Sequence, residues 1–308
     1  MSPLHPQPET IDLADNDGTT VTVAPGQGGR VVRYRRRTRL HGIVDVLHAS
    51  TGMAGTDPLP QAGCPVMFPI AGFCHSDGCA DRYRWQGEER PMPIHGFAPR
   101  MRWTVIEARA FRMRLELTPT DATREAYPFE FRLCLGYELV EGALRATLDI
   151  ENTGERPMPF STGFHPYLRL PLTAAGRRNR CFVHLPGCRE YWARPRGIEA
   201  GSDHDPRSLS ALEPAAPART FADLDSLHAD VIDAESGLGI ALDASLESDF
   251  RCLTLWSPQP DAPFYCVEPR TSLQDAFVHA AQGQLTVLAP GGVFRATMEI
   301  DLREVARV

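Results

Sequence analysis

Apolar and polar positions alternate with a period of two through most of the chain. Phe131, Leu133, Leu135, Tyr137 and Leu139 share one face of a strand, and after Glu141-Gly142 the positions Leu144, Ala146, Leu148 and Ile150 fall in phase again. Two such runs around a short glycine-bearing turn predict a hairpin. The same pattern predicts hairpins from Trp103–Ile106 with Phe111–Leu117, and from Asp230–Ile232 with Gly239–Leu242 around Glu235-Ser236-Gly237. A fourth joins Gln284–Leu288 to Val293–Ile300 around Ala289-Pro290-Gly291-Gly292. No long segment carries a helical period, and Ala222–Asp230 reads at most as a short helical turn. Ala49–Gly63 and Arg194–Arg219, rich in residues that favour turns, read as long surface loops. Hairpins lie on both sides of each loop, so residues 1–308 read as one domain. The fold class is all-β, an antiparallel sandwich, and the 27 prolines and 25 glycines suit its many turns.

Composition then removes several chemistries. The 308 residues include 32 basic side chains, every one of them arginine, against 39 acidic ones, for a formal charge of −7. Without a lysine amine there is no Schiff-base aldolase, no pyridoxal-phosphate enzyme and no Walker A loop. The acidic balance argues against nucleic acid as a partner. The basic run Arg30, Arg33, Arg35, Arg36, Arg37 and Arg39 sits on the alternating stretch Gly29–Leu40 and reads as a solvated strand face. No stretch approaches the ~20 apolar residues of a membrane span, and the opening MSPLHPQPET lacks a signal pattern. A cytoplasmic location is therefore expected, and with it eight reduced cysteines. Cys74-His75 with Cys79 lacks a second pair of ligands at finger spacing, so no metal site is expected there.

Three segments place titratable residues beside glycine or proline and among aromatics, between strands. They are Pro93-Ile-His-Gly-Phe-Ala98, Ser161-Thr-Gly-Phe-His-Pro-Tyr167 and Tyr265-Cys-Val-Glu-Pro-Arg-Thr-Ser272. An irregular backbone at such points can aim a side chain, but spacing alone does not say that the three converge.

In this order and at these separations the segments resemble the aldose 1-epimerase (galactose mutarotase-like) family. Pro93–Ala98 is similar to its P-x-HGFA motif, Gly163–Tyr167 to its G-x-HPYF motif, and Val267–Thr271 to its x-EPWTG motif. Leu224-Asp225-Ser226-Leu227 is similar to its LD-x-hydrophobic segment. The resemblance implies a β-supersandwich with a sugar cleft on one concave sheet, and a mutarotase that needs no metal or cofactor. It implies Glu268 as general base, His165 as general acid, and His95 and Asp225 as ligands of sugar hydroxyls. Interconverting anomers requires ring opening: a base takes the C1 hydroxyl proton while an acid protonates the ring oxygen, and the roles reverse on closure. Both groups must trade protons near neutral pH. Imidazole does so unaided, and burial among Phe264, Tyr265 and Val267 would make the carboxylate a stronger base.

The pattern departs from the family at three points. Phe73 stands where the family usually has a sugar-binding arginine, with Arg82, Arg84 or His75 as candidates to replace it. Pro99 separates the HGFA motif from Arg100. Arg270 follows Glu268-Pro269 where an aromatic is usual. Arg270 reads as an exposed strand-end residue or, alternatively, as a group favouring an anionic sugar such as a hexose 6-phosphate or a uronate. Trp256, on the strand before the glutamate, reads as a face for a pyranose or as a rim aromatic. The expected partner is a small-molecule sugar, with the chain a monomer or homodimer. Two further readings remain beside the epimerase: a non-catalytic carbohydrate-binding protein on the same fold, and a polysaccharide lyase on a related sandwich.

Overall fold

The computed structural model describes residues 9–49, 60–194, 197–202, 204–212, 215–246 and 248–306. Two large antiparallel sheets carry most of the regular structure. The first has nine strands, in the spatial order Thr104–Ala108, Arg112–Leu117, Phe131–Val140, Ala143–Asn152, Val293–Glu304, Leu238–Asp243, His228–Asp233, Cys181–Leu185 and Arg207–Ser210. At its centre is the hairpin read from alternation. Leu133 pairs with Ile150 and Leu135 with Leu148, so the apolar face of each strand extends that of its neighbour. The hairpins of Thr104–Ala108 with Arg112–Leu117 and of His228–Asp233 with Leu238–Asp243 form as the pattern requires.

The second sheet runs Gly197–Ala200, Arg189–Arg194, Ala215–Ala222, Cys252–Ser257, Phe264–Arg270, Gly163–Phe164 and Val66–Met67, and Tyr167–Arg169 also pairs with Phe264–Arg270. Leu253, Leu255, Tyr265 and Val267 of this sheet join Leu135, Leu148, Ala296 and Met298 of the first in one continuous buried cluster. That shared core makes the sandwich. A four-stranded sheet, Ile11–Ala14, Thr20–Ala24, Arg30–Thr38 and Gly42–Asp45, adds Val21, Val23, Val31 and Tyr34 to the same cluster.

Four sequence expectations are corrected. Thr286–Leu288 and Val293–Glu304 are strands but not a hairpin: the first pairs with Met158–Phe160, and the second inserts between Ala143–Asn152 and Leu238–Asp243. Non-local pairing of this kind leaves no local trace in alternation. Arg194–Arg219 is not a plain loop, for it contains the strands Gly197–Ala200 and Arg207–Ser210 and most of Ala215–Ala222. Ala222–Asp230 holds no helix; the one α-helix among the described residues is Asp121–Ala126, started by a Thr120–Thr123 capping box. Arg30 is not solvated like its neighbours. It is buried, and its guanidinium donates to the carbonyls of Gln27, Pro60 and Pro99. Residues 50–59 of the loop read at Ala49–Gly63 lie outside the described residues. Among the described residues no helix is long and apolar enough to cross a membrane.

Candidate active site

Every residue of the strand Phe264–Arg270 is buried, which requires cover on both faces. Tyr265 and Val267 point into the core. Strand alternation then turns Phe264, Cys266, Glu268 and Arg270 to the opposite face, where Phe264 and Cys266 form a second small cluster with Tyr167 and Trp256. Pairing register brings Trp256 and Tyr167 onto that face on either side of Cys266. The segment between Gly163–Phe164 and Tyr167–Arg169 supplies His165. Its neighbour Phe164 enters the core, and the imidazole stacks on the Tyr167 ring at 4.5 Å with an interplanar angle of 4°.

The third segment arrives from across the cavity. His95 takes a left-handed backbone with φ 63°, followed by Gly96 with φ 73°. A Cβ at Gly96 would stand 2.1 Å from the Phe68 carbonyl oxygen, so only glycine fits the bridge made there with Phe68. Arg100, beyond Pro99, donates to the carbonyls of Ile94 and Gly96, clasping the turn, and also lines the cavity. The His95 and His165 rings meet edge to face at 5.0 Å.

Glu268, His165, His95, Arg270 and Trp256 thus line one cavity of about 360 Å³, with Phe73, Ile94, Tyr167 and Gln274 among the other walls. That lies within the range of roughly 300–1,000 Å³ common for small-molecule sites. A larger hollow of about 630 Å³ lies over the nine-stranded sheet. Its lining contains no histidine, and its charges include closed pairs such as Arg295–Asp149 and Arg112–Glu107. Of these two hollows, the smaller holds the histidines, side chains able to exchange protons near neutral pH.

Within it, His165 Nε2 stands 3.6 Å from Glu268 Oε1, near enough for charge attraction but beyond a direct hydrogen bond. The other oxygen, Oε2, accepts from Arg270 Nε at 3.0 Å and from Arg270 Nη2. Glu268 and Arg270 are 1 % and 2 % exposed. The exposed strand-end reading of Arg270 is therefore corrected: two residues along a strand share a face, and this face is covered. The expected lone buried carboxylate is instead one half of an ion pair.

Burial pushes the His165 imidazole below its usual value, Glu268 opposes that shift and Arg270 adds to it. His95 is pushed well below the usual value, first by burial and then by His165, Arg270 and Arg100. The Gly72 N–H donates to His95 Nδ1 at 3.2 Å, which leaves the ring proton of neutral His95 on Nε2. A histidine buried neutral binds fewer protons folded than unfolded. The stability it contributes is whole above the unfolded value of about 6.5 and is lost as pH falls toward the folded value. His95→Gln is accordingly expected to shallow the loss of urea midpoint between about pH 7.5 and about pH 5.5 relative to wild type. Parallel pH dependences in the two proteins would show that His95 is not the group responsible.

Two residues proposed from sequence lie elsewhere. Asp225 is exposed and does not line the cavity; its N–H donates to the Gly187 carbonyl at 2.9 Å, in the bend before His228–Asp233. Arg82 is turned to Glu89 on its own hairpin, with Nε 2.5 Å from Oε1, and it too is absent from the lining. His75 bonds Asp275 at 2.8 Å. Sequence reading undervalued Arg270, although the two-residue spacing from Glu268 was the available signal.

A family model described as aldose 1-epimerase matches residues 9–301. The uncharacterized protein YphB of Escherichia coli is 24% identical over 256 residues, covering 77% of this chain and 82% of that one. Among solved structures, the Slr1438 protein of Synechocystis superposes with a TM-score of 0.78 at 26% identity, covering 99% of both chains. A galactose mutarotase-like protein of Lactobacillus casei gives 0.78 at 21% identity, over 96% of this chain and 100% of that one. A match over nearly the whole length, on the fold that the strand order builds, makes this chain a member of the aldose 1-epimerase family.

Proposed function

We propose that the protein interconverts the α and β anomers of an aldose, with Glu268 as the base and His165 as the acid. The observation that carries this reading is the buried Glu268 Oε1–His165 Nε2 pair, 3.6 Å apart, in the wall of a cavity large enough for a monosaccharide. Oε1 takes the proton of the C1 hydroxyl. His165 enters the step as the imidazolium, delivers its Nε2 proton to the ring oxygen and is left neutral as the ring opens to the aldehyde. Rotation about C1–C2 presents the other face, and closure returns both protons along the same path. Before the sugar proton moves, the Glu268 carboxylate supplies the counter-charge that favours the imidazolium in a place where burial disfavours it. His95 offers its Nε2–H to a sugar hydroxyl, and Trp256 offers an apolar wall to the pyranose carbons.

Anomer exchange, followed by NMR on glucose, galactose and glucose 6-phosphate, tests the reading. At least one sugar is expected to equilibrate faster than the buffer reaction at micromolar protein. Binding without acceleration on every sugar would replace the enzyme by a non-catalytic carbohydrate-binding protein.

A further inference from the structure

The chemistry above needs one carboxylate oxygen, and Glu268 has two. Arg270 engages only Oε2, by both Nε and Nη2, and leaves Oε1 toward His165. The third nitrogen of that guanidinium, Nη1, is buried with no hydrogen-bond partner. It rests against Gly72, where an added Cβ would stand 2.9 Å from it, at a residue whose φ is +91°. Gly72 is already tied to the site, donating its N–H to His95 Nδ1 and accepting the His95 N–H on its carbonyl at 2.9 Å. One bare residue thus seats the guanidinium and fixes the second histidine. Leaving a buried donor unsatisfied is costly, which argues that the guanidinium is held here for its grip on Oε2.

We propose that Arg270 is a positioning residue: it pins Oε2 of Glu268, so that Oε1 alone exchanges the proton, and Gly72 is the seat that lets it do so. The inference rests on the acid–base reading of the site and adds a residue to it. Around Glu268 the titratable or charged groups are few. Arg270 and the Cys266 thiol lie on its own strand, the Cys252 thiol on the neighbouring strand, and His165 on the facing segment, with the Tyr167 hydroxyl 3.4 Å from its Nε2 and with His95 and Arg100 behind it in the same cavity. Burial pushes Cys252 up to about 12 and Cys266 well above its usual value, so both thiols stay neutral through the working range. Arg270 is then the one fixed positive charge in direct contact with the carboxylate.

The test uses Arg270→Met, Arg270→Lys and Gly72→Ala with two readouts. In anomer exchange, Arg270→Met is expected to lower kcat at least about tenfold with KM within about threefold, and to move the acid limb of kcat/KM up by about one pH unit. Arg270→Lys keeps the charge without the two-bond clasp, so the limb stays near wild type while kcat still falls. Gly72→Ala crowds Nη1 and is expected to follow Arg270→Met in direction. The second readout needs no turnover. Titrating the histidine ring signals by NMR in sugar-free protein should show the Glu268–His165 pair taking up its first proton at higher pH in Arg270→Met than in wild type. An unmoved acid limb, a loss confined to KM, or an unchanged ring titration would each overturn the proposal. If Arg270→Met does not fold, Arg270→Lys with wild-type kcat would overturn it equally. Absence of exchange in the wild-type protein would defeat the functional reading alone, because the ring titration still reports on Arg270.

Discussion

Glu268→Gln is expected to lower anomer exchange at least about a hundredfold, the scale of a general base removed from a proton-transfer step. The amide keeps the shape and can still accept from Arg270, but it takes no proton from a C1 hydroxyl. It also removes the only carboxylate that Arg270 touches among the described residues, leaving a guanidinium 2 % exposed without its counter-charge. Breaking a buried pair from one side costs about 3–5 kcal/mol, so the variant should unfold at clearly lower urea. The double variant Glu268→Gln/Arg270→Met separates the two effects. Replacing both charges by neutral groups of similar volume is often harmless to stability, so the midpoint should recover most of the loss and the rate none of it. Full activity in Glu268→Gln, measured by anomer exchange on protein confirmed folded by circular dichroism, would remove Glu268 from the mechanism.

What the sequence showed well was local. Alternation located the Phe131–Val140 and Ala143–Asn152 strands to within a residue or two, because each pairs with its immediate neighbour and one face of each is core. It erred where partners are distant. Thr286–Leu288 and Val293–Glu304 go to separate sheets, and the turn residues between them are compatible with either outcome. The strands in Arg194–Arg219 were hidden for a related reason. Gly197–Ala200 and Arg207–Ser210 are edge strands, short and only partly buried, where proline and polar residues are tolerated. At the site, Glu268, His165 and His95 were legible because each sits in a motif whose glycine or proline has a geometric task, Gly96 beneath Phe68 being the plainest. Asp225 was suggested by a weaker similarity with no such constraint around it, and it is exposed. Arg270 was visible in the spacing and unread in its consequence. A strand buried on both faces cannot leave a charge unpaired two residues from another, and the two charges are opposite.

His165→Gln carries the other large effect. Gln reaches about as far as Nε2 of the imidazole and keeps an N–H, so it can hydrogen-bond a ring oxygen but cannot hand over a proton. A loss of at least about a hundredfold in kcat is expected, with KM changed far less, since the contact that is lost strengthens only as the ring opens. The imidazole also supplies a stacking face to Tyr167 and an edge to Trp256, contributions of order 0.5–1.5 kcal/mol per aromatic pair. The stability cost should therefore be modest, and smaller than that of Glu268→Gln, because no charge is stranded: burial keeps His165 below its usual value and hence mostly neutral at pH 7. The ordering follows from charge alone, Glu268→Gln damaging both fold and rate and His165→Gln chiefly the rate. Urea midpoints and exchange rates measured on the two variants side by side check it. A His165→Gln protein that exchanges anomers at the wild-type rate, or one that loses more stability than Glu268→Gln, would mean that the imidazole is there to pack and that another group protonates the ring oxygen.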